Sequence, residues 1–133
     1  MTTKTSNSSQ PDQVQTIEVT AANDLIKSQC RFLDVRTLEE FAKGHIQDAI
    51  NISYFLFTSK GKEVNPKFME EVLKTFSKDD CIIVGCASGA RSIRASTDLL
   101  KYGFKNTKNM KGGYNAWIHH MNRLFPKKIK SDL

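Results

Sequence analysis

A chain of 133 residues, 39% hydrophobic and 26% charged, is long enough to close one core and has the balance of a globular domain. No apolar run approaches the roughly 20 residues needed to cross a bilayer, so no membrane partner is expected. The net charge of +6 is local, since residues 1–100 carry 12 Lys/Arg against 13 Asp/Glu and residues 101–133 carry 8 against Asp132 alone. These lysines are dispersed and no base-reading motif accompanies them. The basic third reads as a solvated face, able also to attract an anionic substrate or an acidic partner, and no nucleic-acid partner is expected.

Residues 1–13 are polar and aperiodic and read as a disordered tail. They are rich in Ser and Thr like an organelle transit peptide, but contain Asp12 and no Arg, so a cytoplasmic location is expected. Ile17–Val19 reads as a short strand, and Thr20 as the cap of a helix reaching Ser28. Arg31–Val35 reads as a second strand. Thr37 and Glu40 form a capping box, with the helix ending at Gly44. Ala49–Ile52 reads as a third strand, and 53–64 as a connection turning at Gly61. Asn65-Pro66 opens a helix whose apolar face is Met69, Val72, Leu73 and Phe76.

Cys81–Gly85 is an almost unbroken apolar run, as expected of a strand covered on both faces. A helix follows from Arg91 to Tyr102, closed by Gly103. Thr107–Met110 reads as a last strand, and Gly112-Gly113 leads into a final helix through Trp117 and Ile118. Residues 126–133 are a basic tail. Strand and helix alternate without repeats or a long linker. The expected fold is α/β: one domain over 14–125 with a central, mainly parallel sheet and helices on both faces.

Three cysteines, Cys30, Cys81 and Cys86, are too few and of odd parity for a disulfide framework, and their spacing suits no zinc site. Free thiols are therefore expected, as in a reducing compartment. Cys81 reads as a small core residue, and Cys30 as an oxidation-sensitive surface thiol. No metal or other cofactor is expected. His119 and His120 are adjacent, so on a helix they diverge by about 100° and do not share a ligand.

Cys86 differs from the other two. The segment Val84-Gly85-Cys86-Ala87-Ser88-Gly89-Ala90-Arg91-Ser92 runs from a strand end through small residues into a helix. Small side chains let successive N–H groups turn inward, and the helix N-terminus behind them completes an anion cradle. The helix end and the Arg91 guanidinium both favour thiolate over thiol, and the thiolate is the nucleophile. Cys86 is thus the candidate catalytic residue, and Ala87, Ser88, Gly89, Ala90 and Arg91 the candidate substrate-binding loop.

Four blocks, in order over residues 16–120, resemble the rhodanese family. They are Phe32-Leu33-Asp34-Val35-Arg36; Glu40-Phe41 with Gly44-His45-Ile46 and Ala49–Ile52; Cys86–Ser92; and Gly112-Gly113-Tyr114 with Ala116-Trp117. The likeness is to single-domain sulfurtransferases of the plant senescence-associated and bacterial types. It implies that Cys86 takes the outer sulfur of thiosulfate, or of mercaptopyruvate, as a persulfide. The persulfide then passes the sulfur to cyanide, glutathione or thioredoxin. It also implies structural roles: Asp34 ties a loop, Arg36 pairs with an acid such as Glu40, His45 is hydrogen-bonded, and Trp117 anchors the last helix.

One alternative is the related phosphatase or arsenate reductase, whose loop carries five residues between Cys and Arg where this chain has four. The other is a non-catalytic sulfur carrier or redox-sensing module. A monomer is expected, since one such domain can close its own core.

Overall fold

The computed structural model describes residues 13–126, so the expectations for the two tails lie almost entirely outside the described residues. Five parallel strands form the central sheet: β1 (Gln15–Ile17), β2 (Arg31–Asp34), β3 (Ile50–Asn51), β6 (Ile82–Gly85) and β7 (Thr107–Met110), in the order β1-β7-β6-β2-β3. A two-stranded antiparallel hairpin, β4 (Phe55–Thr58) with β5 (Gly61–Val64), stands apart. The helices are α1 (Val19–Lys27), α2 (Leu38–Ala42), α3 (Phe68–Thr75), α4 (Ala90–Lys101) and α5 (Gly113–Leu124). The α/β fold with a parallel sheet is the one expected.

Period-two alternation along the strands divides the core between the two faces of the sheet. Leu33, Ile82 and Val84 point to the side covered by Phe68 and Val72 of α3 and by Ala95 and Leu99 of α4. Phe32 and Ile83 point to the other side, against Val19 and Ala22 of α1 and Trp117 of α5. β6 is buried along its whole length, as the apolar run requires, and its neighbours are β7 and β2. Its carboxyl end therefore opens at the centre of the sheet edge, where parallel α/β sheets bind ligands. Trp117 is the expected anchor of the last helix, at 9% exposure.

Several boundaries differ from expectation. The first strand ends at Ile17 and α1 already begins at Val19, with Glu18 and not Thr20 in the cap position. Val19 and Ala22 are buried together as an i, i+3 pair, so Val19 serves the helix. α3 begins at Phe68, after a turn in which the Asn65 side chain accepts from the Lys67 N–H at 3.0 Å. Asn65 therefore caps the turn and not the helix, and Leu73 faces solvent. The segment 53–64, expected to be a plain connection, holds the hairpin, whose tip is Ser59-Lys60, with Gly61 at φ +101°. Leu56 and Phe57 are both exposed, so no apolar alternation marks these strands in the sequence.

The cysteines are the largest correction. Cys30 and Cys81 form a disulfide with a Cα–Cα distance of 4.8 Å across 51 residues, and Cys86 is the free cysteine. Arg31 pairs with Ile82 in register, and one step earlier the strands bring Cys30 beside Cys81. Odd parity thus reflects one bridge plus one free thiol. With two of the three thiols joined, the expectation of a reducing compartment loses its ground.

Closing a loop of 51 residues restricts the unfolded chain, which corresponds to about 4 kcal/mol of stability by chain entropy. Reduction, or Cys81→Ser, is expected to lower the urea midpoint accordingly. Sulfur-transfer chemistry is expected to persist, because the bridge lies at the amino ends of the strands, opposite Cys86. An unchanged midpoint under reductant would show that the thiols are not joined in solution.

Candidate active site

Cys86 follows β6 directly and is 1% exposed. The chain then turns through Ala87 and Ser88 to Gly89, which takes φ +120° at the N-cap of α4, a conformation suited to glycine. The turn aims backbone donors at the sulfur. The Gly89 N–H lies 3.0 Å from Cys86 Sγ, and the Ser92 N–H lies 3.4 Å from it. The Ser92 N–H is one of the first-turn donors that a helix leaves without an intrahelical acceptor. Two N–H dipoles and the helix end thus converge on one buried sulfur and stabilise negative charge there. Ala87 is half-buried, while Ser88 and Ala90 are exposed and form the rim.

A second element holds this loop from behind. The α5 N-terminus donates from the Tyr114 N–H to the Cys86 carbonyl at 2.7 Å, and from the Asn115 N–H to the Ala87 carbonyl at 3.1 Å. With both carbonyls turned toward α5, the following N–H groups are free to face the cradle. The contact demands glycine at 113: φ is +61°, and a Cβ there would lie 2.3 Å from the Cys86 carbonyl oxygen. The sequence alone assigns the Gly-Gly pair only to a helix start, although two glycines before a helix also signal close backbone approach.

Arg91 is not a free cation over the cradle. Its guanidinium forms a two-pronged pair with Glu40, at 2.8 and 3.1 Å. The expected partner of Glu40 was Arg36. Instead the capping box, present as expected at Thr37, fixes Glu40 so that its carboxylate reaches α4. Arg36 turns back to the strand end, pairs with Asp34 at 2.8 Å, donates to the Gly44 carbonyl, and lies over the Tyr114 ring at 4.3 Å. Asp34 also accepts from the Arg36 N–H at 3.0 Å, the loop tie expected of it. His45 Nδ1 lies 2.8 Å from the Phe41 carbonyl and its ring stacks on Phe41, a structural role away from the sulfur. His119 is exposed and His120 is half-buried on α5, outside the site.

The hydrogen bond from Arg91 pulls the Glu40 carboxyl down to about 2, aided by Thr37 and opposed by burial. The same bond raises Arg91 above its ordinary value, with a smaller contribution from the nearby Cys86 sulfur. A carboxyl depressed in the folded state contributes stability fully above its unfolded value near 4.5, and that stability is lost as pH falls toward 2. Glu40→Gln is therefore expected to unfold at lower urea than the parent at pH 6, with the gap closing steadily below pH 4.5. The effect is modest because the pair is partly solvated. A gap that does not depend on pH would mean the carboxylate does not hold Arg91 in solution.

Beside the Arg91–Glu40 pair lies a cavity of about 460 Å³, lined also by Thr37, Glu39, Lys43, Phe57 and Lys62. The hairpin, which the sequence does not announce, supplies Phe57 and Lys62 and so forms one wall of that cavity. No helix among the described residues is long and apolar enough to cross a membrane.

Fold and site together define a parallel α/β domain that presents a buried cysteine to a cradle of backbone amides at a strand-to-helix turn. The chain belongs to the rhodanese-like domain family, whose model matches residues 18–120. It is 50% identical over 101 residues to thiosulfate sulfurtransferase 16, chloroplastic, of Arabidopsis thaliana, a match covering 76% of this chain and 84% of that protein. It is 41% identical over 122 residues to thiosulfate sulfurtransferase 18 of the same plant, covering 90% of each. The rhodanese-like domain protein of Staphylococcus aureus superposes with a TM-score of 0.62 at 28% identity, covering 78% of this chain and 91% of that one. These matches place the chain in a sulfurtransferase family.

Proposed function

We propose that the protein is a thiosulfate sulfurtransferase with Cys86 as nucleophile. The observation that carries this reading is the convergence of the Gly89 and Ser92 N–H groups on the buried Cys86 sulfur. The Cys86 thiolate attacks the outer sulfur of thiosulfate. A new sulfur–sulfur bond forms on Sγ, the donor's own sulfur–sulfur bond breaks, and its electron pair leaves on sulfite. An acceptor nucleophile then attacks the outer sulfur of the persulfide, and the electron pair of that bond returns to Sγ. This is two-step covalent catalysis. The loop amides hold the charge, while Arg91, occupied by Glu40, shapes the loop more than it binds the donor.

The small, exposed side chains of Ser88 and Ala90 at the rim of the loop support a protein acceptor such as thioredoxin, or glutathione. The printed names of the two Arabidopsis relatives support thiosulfate as donor. The four-residue spacing between Cys86 and Arg91 favours sulfur over the wider phosphate or arsenate.

The test is intact mass of the protein, with its Cys30–Cys81 bridge kept, after incubation with thiosulfate, beside Cys86→Ser as the blank. A gain of one sulfur, about 32 Da and reversed by cyanide, supports the reading. A gain with mercaptopyruvate alone changes the donor. No gain with either, together with hydrolysis of an aryl phosphate, replaces the reading with the phosphatase.

A further inference from the structure

The two transfer steps use the Ser92 N–H but leave its side chain idle. Ser92 is 0% exposed. Its Oγ lies 3.5 Å from Cys86 Sγ, accepting from the thiol, and donates to the Gly89 carbonyl at 3.1 Å. A serine hydroxyl has one proton and turns freely about its bond to Cβ. Two acceptors are therefore within its reach, the Gly89 carbonyl and the sulfur. Charge decides between them, because a hydrogen bond to an ionised acceptor is roughly twice as strong as one to a neutral acceptor. While Sγ is neutral, as thiol or persulfide, the carbonyl is the better acceptor. When Sγ is a thiolate, the sulfur is. At 1% exposure Cys86 is largely screened from water that could take over this donor role.

We propose that Ser92 is a catalytic residue of the second half-reaction. As the acceptor attacks the outer sulfur, the Sγ–S bond breaks and its electron pair settles on Sγ. The hydroxyl turns from the Gly89 carbonyl to Sγ and stabilises the departing thiolate. No proton is transferred, so the hydroxyl is intact at the end of the cycle. This inference rests on the proposed sulfurtransferase function.

The two half-reactions respond differently to loss of the hydroxyl. Sulfur leaves faster from a better-stabilised thiolate, so discharge depends strongly on the donor. In loading, the stabilisation that the attacking thiolate loses is offset by about half, because a less stabilised thiolate is the better nucleophile on a Brønsted slope of about 0.4–0.5.

The experiment compares Ser92→Ala and Ser92→Thr with the parent, both variants keeping the N–H. Persulfide loading by thiosulfate is timed by quenched-flow intact mass, and discharge by thiocyanate release from the preloaded protein. For Ser92→Ala, discharge is expected to slow by on the order of 10- to 100-fold. Loading is expected to slow by only about the square root of that factor, roughly 3- to 10-fold, and Ser92→Thr to retain discharge within about threefold. Should Ser92→Ala fail to fold, Ser92→Gly, which also keeps the N–H and lacks the hydroxyl, takes its place with the same expected loss of discharge. Equal slowing of both half-reactions, or unaltered discharge in a folded variant, overturns the inference. Absence of any persulfide in the parent overturns the sulfurtransferase reading first, and this inference with it.

Discussion

Cys86→Ser is expected to fold as the parent does and to transfer no sulfur. The serine oxygen is slightly smaller than sulfur and occupies the same site, where the Gly89 and Ser92 N–H groups and the Ser92 hydroxyl can all bond to it. Stability should therefore change by no more than about 1 kcal/mol. The chemistry is lost because a hydroxyl without an adjacent base is not ionised at neutral pH and forms no persulfide. Thiocyanate release should fall by at least about 10³-fold, equivalent to about 4 kcal/mol of barrier, and no mass gain should follow thiosulfate. Transfer surviving in this variant would move the nucleophile elsewhere. Because Cys30 and Cys81 are joined, among the cysteines only a prior reduction could supply one.

Gly113→Ala is expected to be the most damaging change outside the loop itself. The added Cβ would meet the Cys86 carbonyl oxygen at 2.3 Å and the Ala87 carbonyl oxygen at 2.7 Å. Both are backbone atoms, so relief requires moving the loop or the start of α5. Either movement breaks the bonds from Tyr114 and Asn115 that turn those carbonyls away from the cradle. A positive φ in a residue with a side chain adds on the order of 1 kcal/mol of strain. The expected outcome is a loss of about 2–4 kcal/mol of stability and at least tenfold in transfer. Gly61→Ala is the control. Its φ of +101° is also positive, but no atom lies within 4 Å of the added Cβ. It should show the backbone strain in urea unfolding and leave transfer nearly intact. Equal loss of transfer in both variants would mean that α5 does not set the loop.

The parts of the fold legible in the sequence are those with a signal inside one segment. β6 announces itself as Ile82-Ile83-Val84 between a polar turn and a glycine, and β7 lies where expected, at Thr107–Met110. The capping box is a local exchange of two hydrogen bonds over three residues, so Thr37 and Glu40 are readable. Cys86 is readable because strand end, small-residue turn and helix start, the three parts of an anion cradle, follow one another within nine residues, 84–92. The misplaced limits share a cause. Propensity alone puts Val19 in a strand and Asn65 at a helix cap, and packing moves each limit by a few residues.

By itself, then, the sequence determined the order of the central strands and the helices, the class of fold, and the cysteine loop on which the proposed nucleophile sits, since periodicity and small-residue turns act within a few residues along the chain. The tertiary structure alone decided the partners that meet across the sheet. Strand register brought Cys30 to Cys81. The close approach of α5 behind the loop gave Gly113 its purpose. Burial of Arg36 against Asp34 left Glu40 to Arg91, and the turn at Gly89 placed the Ser92 hydroxyl against the sulfur. The pairs Cys30–Cys81, Arg91–Glu40 and Gly113 with the Cys86 carbonyl depend on where two segments tens of residues apart come to rest, and no pattern within either segment records the other's position.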